Sequence, residues 1–332
     1  MRIPYQELFD CLLAVLLTTG FESERAQLCA RLFANSSRDG VYSHGLNRFP
    51  RFMEMIRNGV IDIHARPGLV SNFGALEQWD GRRGPGNLNA YAGMERAIAL
   101  SQQTGVGCVA LANTNHWMRG GSYGWQAADA GVIGICWTNT MPNLPPWGAS
   151  EARLGNNPLV IAVPRAEGHI VLDMAMSQFS FGALDSYRMR GEQLPVYGGF
   201  DLNGKLTIDP VAIEASNRLL PIGFWKGSGL ALMLDLLAAL LSNGKATHQI
   251  PADSLKETAV SQVFLAFDLS LIDNGGKHVQ IVDQIIQYVQ GASSSSEESV
   301  RYPGQRTLEI RKQNLKEGIP IEPTLWQQIQ AL

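Results

Sequence analysis

Apolar residues recur at helical spacing through the first sixty positions. Leu8, Cys11, Leu12, Val15 and Leu16 mark one helix. Ala26, Leu28, Cys29, Leu32 and Phe33 mark a second over residues 23–34. Leu46, Phe49, Phe52, Met53 and Ile56 mark a third over 44–57, in which Pro50 sets a kink or an early boundary. From residue 69 the period shortens. Residues 69–82 read as two extended strands around Gly74, followed by an amphipathic helix over 87–103, a strand over 106–113, a helix over 121–130 and a strand over 132–139. Two more strands are expected at 159–164 and 170–175, then a short helix at 182–191. A long apolar helix over 226–241 reads as buried. A strand at 263–268 and a helix at 279–289 complete the middle of the chain. Strands mixed with helices predict an α/β core.

Residues 292–299 are rich in serine and read as a mobile loop. Two short helices follow, at 308–317 and 324–331, and are natural partners for the N-terminal helices because chain ends often lie close together. The expected division is a helical domain from residues 1–68 and 290–332, and an α/β domain from 69–289.

The chain has 332 residues, 45% hydrophobic and 17% charged, which supports a sizeable core. A net charge of −3 offers no basic field for nucleic acid and no lysine-rich face for an anionic membrane. Cys11, Cys29, Cys108 and Cys136 are scattered without a CxxC pair, as in a reducing compartment. Glu7 and Asp10 sit where a signal peptide would be apolar, and the longest apolar run contains Asp235. A cytoplasmic protein is expected.

The common nucleotide signatures fail. Gly105-Val-Gly107-Cys-Val-Ala110 precedes a strand instead of joining a strand to a helix. Gly199 to Lys205 nearly matches a phosphate loop, but Leu206 stands where a hydroxyl should hold magnesium, and Asn203-Gly204 reads as a turn. No two histidines stand at metal-ligand spacing on a helix, and there is no G-x-S-x-G elbow.

Four segments carry candidate chemistry. In the first, Ser43 is a plausible N-cap that places His44 in a first helical turn, with Arg48 four residues on along the same face. That face offers a proton donor and a guanidinium suited to a carboxylate; the plainer reading is a helix-start histidine and a surface arginine. A helix N-terminus disfavours imidazolium, so a charged donor needs an anion, with Asp39 and Asp185 as candidates. The second is the glycine-rich stretch from Asn113 to Gly124. It joins a strand to a helix, where α/β proteins place ligands, and contains His116. The third is Gly155-Asn-Asn-Pro158 with Asp173, an aspartate inside an apolar strand that needs a hydrogen bond for structure or for a ligand. The fourth, Lys226-Gly227-Ser228-Gly229, opens the long apolar helix and reads either as an anion site or as a simple helix start.

Ser43-His44-Gly45 with Arg48, Asn115-His116, Gly155-x-Asn157-Pro158, Asp173-x-Ala175-x-Ser177 and Lys226-Gly227-x-Gly229 together resemble the malate/L-lactate/sulfolactate dehydrogenase-like family. The stretches 40–52, 115–127 and 145–148 resemble a member that reduces a diketo sugar acid. The resemblance implies a homodimer with a non-Rossmann mixed sheet flanked by helices and a helical domain built from both chain ends. It implies NADH as cofactor, with NADPH as the alternative, and a small sugar-acid substrate. It further implies that His44 is the proton donor. Cofactor contacts would come from His169, Ile170, Val171, Leu172, Asp173, Met174 and Ala175, from Trp225 and Lys226, and from Gly304, Gln305 and Arg306. Arg48 is expected on the substrate carboxylate, and His116 on the carbonyl or distal hydroxyls. Many members have Gly-Lys-Ile where this chain has Gly182-Ala183-Leu184, so a lysine contact there does not carry over. His169 matches no landmark of the family. The alternatives are a dehydrogenase of another 2-oxo acid (malate, lactate or imino acid type), a cofactor-free sugar-acid lyase or epimerase, and a sugar-acid binding protein.

Overall fold

A computed structural model describes residues 1–271, 276–293 and 299–332. Strand β1 (Arg2–Ile3) leads into helices α1 (Tyr5–Thr18) and α2 (Ser23–Arg38). Leu8, Leu12 and Leu16, spaced by one turn, are fully buried against the apolar face of α2. The expected third helix is interrupted. Residues Tyr42–His44 and Leu46–Arg48 form two 3-10 turns before α3 (Phe49–Arg57) begins. Gly45 separates the turns because they press against α2: a Cβ there would lie 2.2 Å from the Ser37 hydroxyl oxygen. Pro50 then falls in the first turn of α3, where a missing N–H is tolerated.

The next elements are β2 (Gly68–Phe73), β3 (Leu76–Asp80), α4 (Gly86–Thr104), β4 (Val106–Thr114), α5 (Gly121–Asp129), β5 (Ile133–Thr138), β6 (Leu159–Val163) and β7 (Ile170–Met174). They are followed by α6 (Phe181–Arg190), the hairpin β8 (Gly199–Phe200) and β9 (Leu206–Thr207), α7 (Pro210–Ser216), α8 (Trp225–Ser242) and β10 (Val260–Phe267). The chain closes with α9 (Lys277–Gln290), α10 (Gln305–Glu317), β11 (Ile319–Pro320) and α11 (Pro323–Gln330). Among the described residues one seven-stranded sheet runs β2-β3-β4-β10-β5-β6-β7, with β3 and β4 parallel and the other neighbours antiparallel. The sheet is therefore mixed. Alternation along the strands feeds two cores. Val109 and Leu111 face the α4–α5 side, and Ala110 and Val263 face the α8 side.

Helix α8 departs from the buried helix expected. Ala231, Leu234 and Ala238 pack on the sheet, but Leu232, Met233, Leu236 and Leu240 are exposed. The helix is long and apolar enough to cross a membrane by composition, but its inner face lies on the sheet. The strands β1, β8, β9 and β11 and helix α7 were not foreseen. Residues 294–298 of the expected serine-rich loop lie outside the described residues.

The chain ends meet where β1 pairs with β11, and Trp326 and Ile329 of α11 join the core of α1 and α2. A buried ion cluster joins this helical layer to the sheet. The Asp39 carboxylate accepts from Arg119 Nη1 at 2.7 Å, from Arg311 Nε and Nη2 at 2.7 and 2.8 Å, and from Arg38 Nε at 2.8 Å. Burial alone would raise the Asp39 pKa. The three guanidinium groups outweigh it and hold the carboxyl down to about 2. Arg311 also lies over the Trp125 ring of α5 at 4.4 Å. Removing one partner of a buried pair typically costs about 3–5 kcal/mol. Asp39→Ala should lower the unfolding free energy in urea by that amount, and a loss below about 1 kcal/mol would contradict the structural role given to the cluster.

Candidate active site

His44 and His116 come from distant parts of the chain and stack. Their ring centroids are 5.8 Å apart with 17° between planes. His44 ends the first 3-10 turn. Ser43 does not cap a helix; its hydroxyl instead meets His44 Nδ1 at 2.9 Å. This leaves Nε2 as the ring nitrogen free for a ligand. His116 lies in the loop after β4, where its Nδ1 accepts the Met118 amide at 3.0 Å, so in the neutral ring Nε2 carries the proton. Asn115 pins that loop by donating to the carbonyls of Arg83 at 2.7 Å and Gly84 at 2.9 Å.

Arg48 reaches the same space through the second 3-10 turn and not along a continuous helical face. Together they line a cavity of about 610 Å³ with Arg51, Thr140, Asn143, Asn156, Ser180 and Glu257. The three expected catalytic side chains are thus brought together. Arg51 and Glu257 were missed. Arg51 had a readable signal, one turn beyond Arg48, whereas Glu257 sits in a loop that no local pattern connects to the site.

Neither proposed anion serves His44. Asp39 is consumed by the arginine cluster, and Asp185 pairs with Arg188. Burial, then Arg48 and Arg119, push the His44 pKa down to about 3. Burial, Arg48 and His44 hold His116 well below its ordinary value too. Burial and the neighbouring Arg51 bring Arg48 down to about 10, partly opposed by Glu257. Both histidines are therefore neutral beside two guanidinium groups. The buried Nε atoms of Arg48 and Arg51 have no hydrogen-bond partner. Desolvated donors of this kind call for an acceptor, and a carboxylate satisfies a guanidinium best.

The expected cofactor segments gather along β7, an edge strand. The Val171 amide donates to the Pro303 carbonyl at 3.0 Å. Gly304 is seated so closely that a Cβ would lie 3.1 Å from the Val171 nitrogen. Residues 304–306 thus flank the start of the strand. At its far end the Ile222 amide donates to the Met176 carbonyl at 2.8 Å, which carries exposed Trp225 and Lys226 to the same edge. Between them Asp173 accepts the Gly121 amide at 2.8 Å, placing negative charge at the start of α5. The Asp173 side chain is accessible yet walled by protein, as on a cleft floor, and burial raises its pKa against the opposing pull of Arg119 and the Gly121 amide.

Two expectations need correction. The α8 start is not an open anion cradle, because the amides of Lys226, Gly227 and Ser228 donate to the carbonyls of Gly223, Ile222 and Phe224. The exposed Lys226 ammonium and the Trp225 amide remain to meet an anion there. The His169 ring is committed as well: Nδ1 accepts the Arg165 amide at 3.1 Å and Nε2 lies 3.0 Å from Asp129. A dinucleotide still fits the edge. Alternation from Val171 turns the Asp173 amide to the open side, and Ser177 Oγ is buried without a partner beyond the strand end. Ile170, Leu172, Met174 and Ala175 line the strand between these groups. Gln305 is hydrogen-bonded to Gln290 Nε2 at 2.9 Å, and Arg306 is exposed.

The chain matches the family described as malate/L-lactate dehydrogenase over residues 3–330. It is 45% identical to 2,3-diketo-L-gulonate reductase of Escherichia coli over the whole of both chains. Among solved structures it superposes on malate dehydrogenase of Pyrococcus horikoshii with a TM-score of 0.90 at 28% identity, covering 99% of this chain and 93% of the other. Sulfolactate dehydrogenase of Methanocaldococcus jannaschii gives a TM-score of 0.92 at 27% identity, covering 99% and 95%.

Neutral buried histidines make the fold sensitive to acid. Below about pH 6.5 the unfolded chain protonates both rings while the folded cleft resists. Their contribution is complete above that pH and is lost as pH falls toward the folded His44 value of about 3. The melting temperature should fall between about pH 7 and pH 5, and His44→Gln should flatten part of that slope. An identical slope in the variant would refute the neutral pair.

Proposed function

Because this chain belongs to the malate/L-lactate dehydrogenase family, we propose that it reduces 2,3-diketo-L-gulonate to 3-dehydro-L-gulonate with NADH, NADPH being the alternative reductant. The identity to the Escherichia coli reductase supports the substrate. The observation that carries the chemistry is the unpartnered, buried Arg48 Nε in one cavity with the stacked pair His44 and His116. The helical unit, residues 1–68 with 290–332, and the α/β unit, residues 69–289, hold the substrate between them.

Arg48 takes the substrate carboxylate, which fixes the 2-oxo carbon in position. His44 Nε2 delivers a proton to the 2-oxo oxygen, and the Ser43 hydroxyl orients the ring through Nδ1. His116 offers its Nε2 proton to the carbonyl or an adjacent oxygen. The nicotinamide supplies the hydride when bound. The residues that would hold it are those along the β7 edge from Ile170 to Ala175 with the His169 backbone, and Trp225, Lys226 and Gly304 to Arg306. An uncharged imidazole is a poor acid, and the substrate itself supplies the remedy. Burial first, and the Arg48 charge after it, keep the free ring neutral; the substrate carboxylate offsets the second of these and so favours the charged donor when there is something to reduce.

The assembly in this reading is a homodimer, with the outer leucine and methionine face of α8 against a second copy. Its location is the cytoplasm, consistent with four free cysteines. His44→Ala should lower NADH-dependent turnover of 2,3-diketo-L-gulonate by about 10²- to 10⁴-fold. Binding of NADH, followed by nicotinamide fluorescence, should survive. Full turnover in the variant would remove His44 from the role of acid.

A further inference from the structure

Beyond Arg48 the cavity holds a second pair of charged groups that the chemistry above does not use. Arg51 lies one turn further along α3. One of its terminal nitrogens donates to the Ser254 carbonyl, while its buried Nε has no partner. Glu257 faces the same cavity and is only 6% exposed. Its Oε1 accepts the Met141 amide at 3.1 Å. The two side chains feel each other's charge but are not ion-paired: Arg51 is held by the Ser254 carbonyl and Glu257 by the Met141 amide. A donor and an acceptor thus line one space, each tied to backbone on one side.

The chemistry of what can lie between them is narrow. A second carboxylate would be drawn to Arg51 and repelled by buried Glu257. A methyl group would leave both charged groups desolvated and unsatisfied. A hydroxyl accepts from the guanidinium and donates to the carboxylate, so it satisfies both. We infer that Arg51 and Glu257 form a hydroxyl-reading subsite that selects 2-oxo acids with a hydroxylated chain beyond the reacting carbon and rejects C4 dicarboxylates. This deepens the proposed function and rests on it, since it assumes that Arg48 binds the carboxylate at the other end.

The test compares kcat/KM for 2,3-diketo-L-gulonate and for oxaloacetate, with NADH, in the full-length protein. Glu257→Gln keeps an oxygen for the Met141 amide but removes the charge. It should shift the ratio toward oxaloacetate by about tenfold or more, as expected for relief of a buried like-charge contact. Arg51→Met should raise KM for the hydroxylated substrate by about tenfold with a smaller effect on kcat, the pattern of lost binding. Retention of the wild-type circular dichroism spectrum and NADH affinity checks that each variant is folded. Wild-type activity on both substrates with an unchanged ratio in both variants would overturn the subsite alone. A wild-type protein that binds NADH but reduces neither acid would overturn the proposed function, and the subsite with it.

Discussion

The carboxylate of Asp39 holds the site together. It stands five residues before His44, and its partner Arg119 stands three residues after His116. Arg311, from near the chain end, takes the other side. One buried anion therefore ties three distant segments and brings the two histidines into register. Burying charge is costly, and a well-packed apolar replacement would often do as well for stability alone. What the ion cluster provides is direction: Arg311 of α10 holds the Asp39 carboxylate bidentately, and Arg119 then fixes how the turn after α2 meets the loop after β4. The position of His44 follows from that junction and from Gly45, which lets the turn lie against α2.

The same junction sets the electrostatics. Asp39 is surrounded by more positive charge than it can neutralise, and Arg48 and Arg51 add to it across the cavity. A carboxylate paired with His44 would charge the imidazole permanently and weaken the attraction for an anionic substrate. The cavity instead keeps both rings neutral and its guanidinium groups desolvated; in the proposed mechanism one anion on Arg48 supplies binding energy and favours the charged acid together. The acid sensitivity expected of the free protein is the counterpart of this arrangement.

Much of the fold was legible because its elements are long and periodic. The strands around Gly74, the helix over α4 and the three strands of the sheet's second half lie within a few residues of their expected bounds. What escaped were elements whose stability is tertiary. β1 and β11 are two residues each and exist only because the chain ends meet, and the two-residue strands β8 and β9 flank the legible Asn203-Gly204 turn but are held in place by the bridge from Gly199 to Leu219. Residues 42–48 carry helical spacing, yet close packing on α2 breaks them into turns. The apolar run of α8 could not reveal that only one side meets the sheet. At the site, His44, Arg48 and His116 were found through motifs, whereas Glu257 depends on a loop whose approach to α3 no local pattern encodes. The α8 start illustrates the opposite error: the glycines were visible, but not the loop carbonyls that consume its amides.

In the proposed mechanism His44 is neutral in the free cleft and becomes charged when a carboxylate engages Arg48. Imidazole ¹⁵N chemical shifts of the histidine-labelled protein, recorded near neutral pH with and without oxamate as an unreactive 2-oxo acid mimic, test it directly. The expected result is a neutral His44 ring in the free protein and a protonated one in the complex, with the change lost in Arg48→Met. A His44 that titrates near 6.5 in the free protein, as an unperturbed histidine would, or that stays neutral when the anion binds, would contradict it.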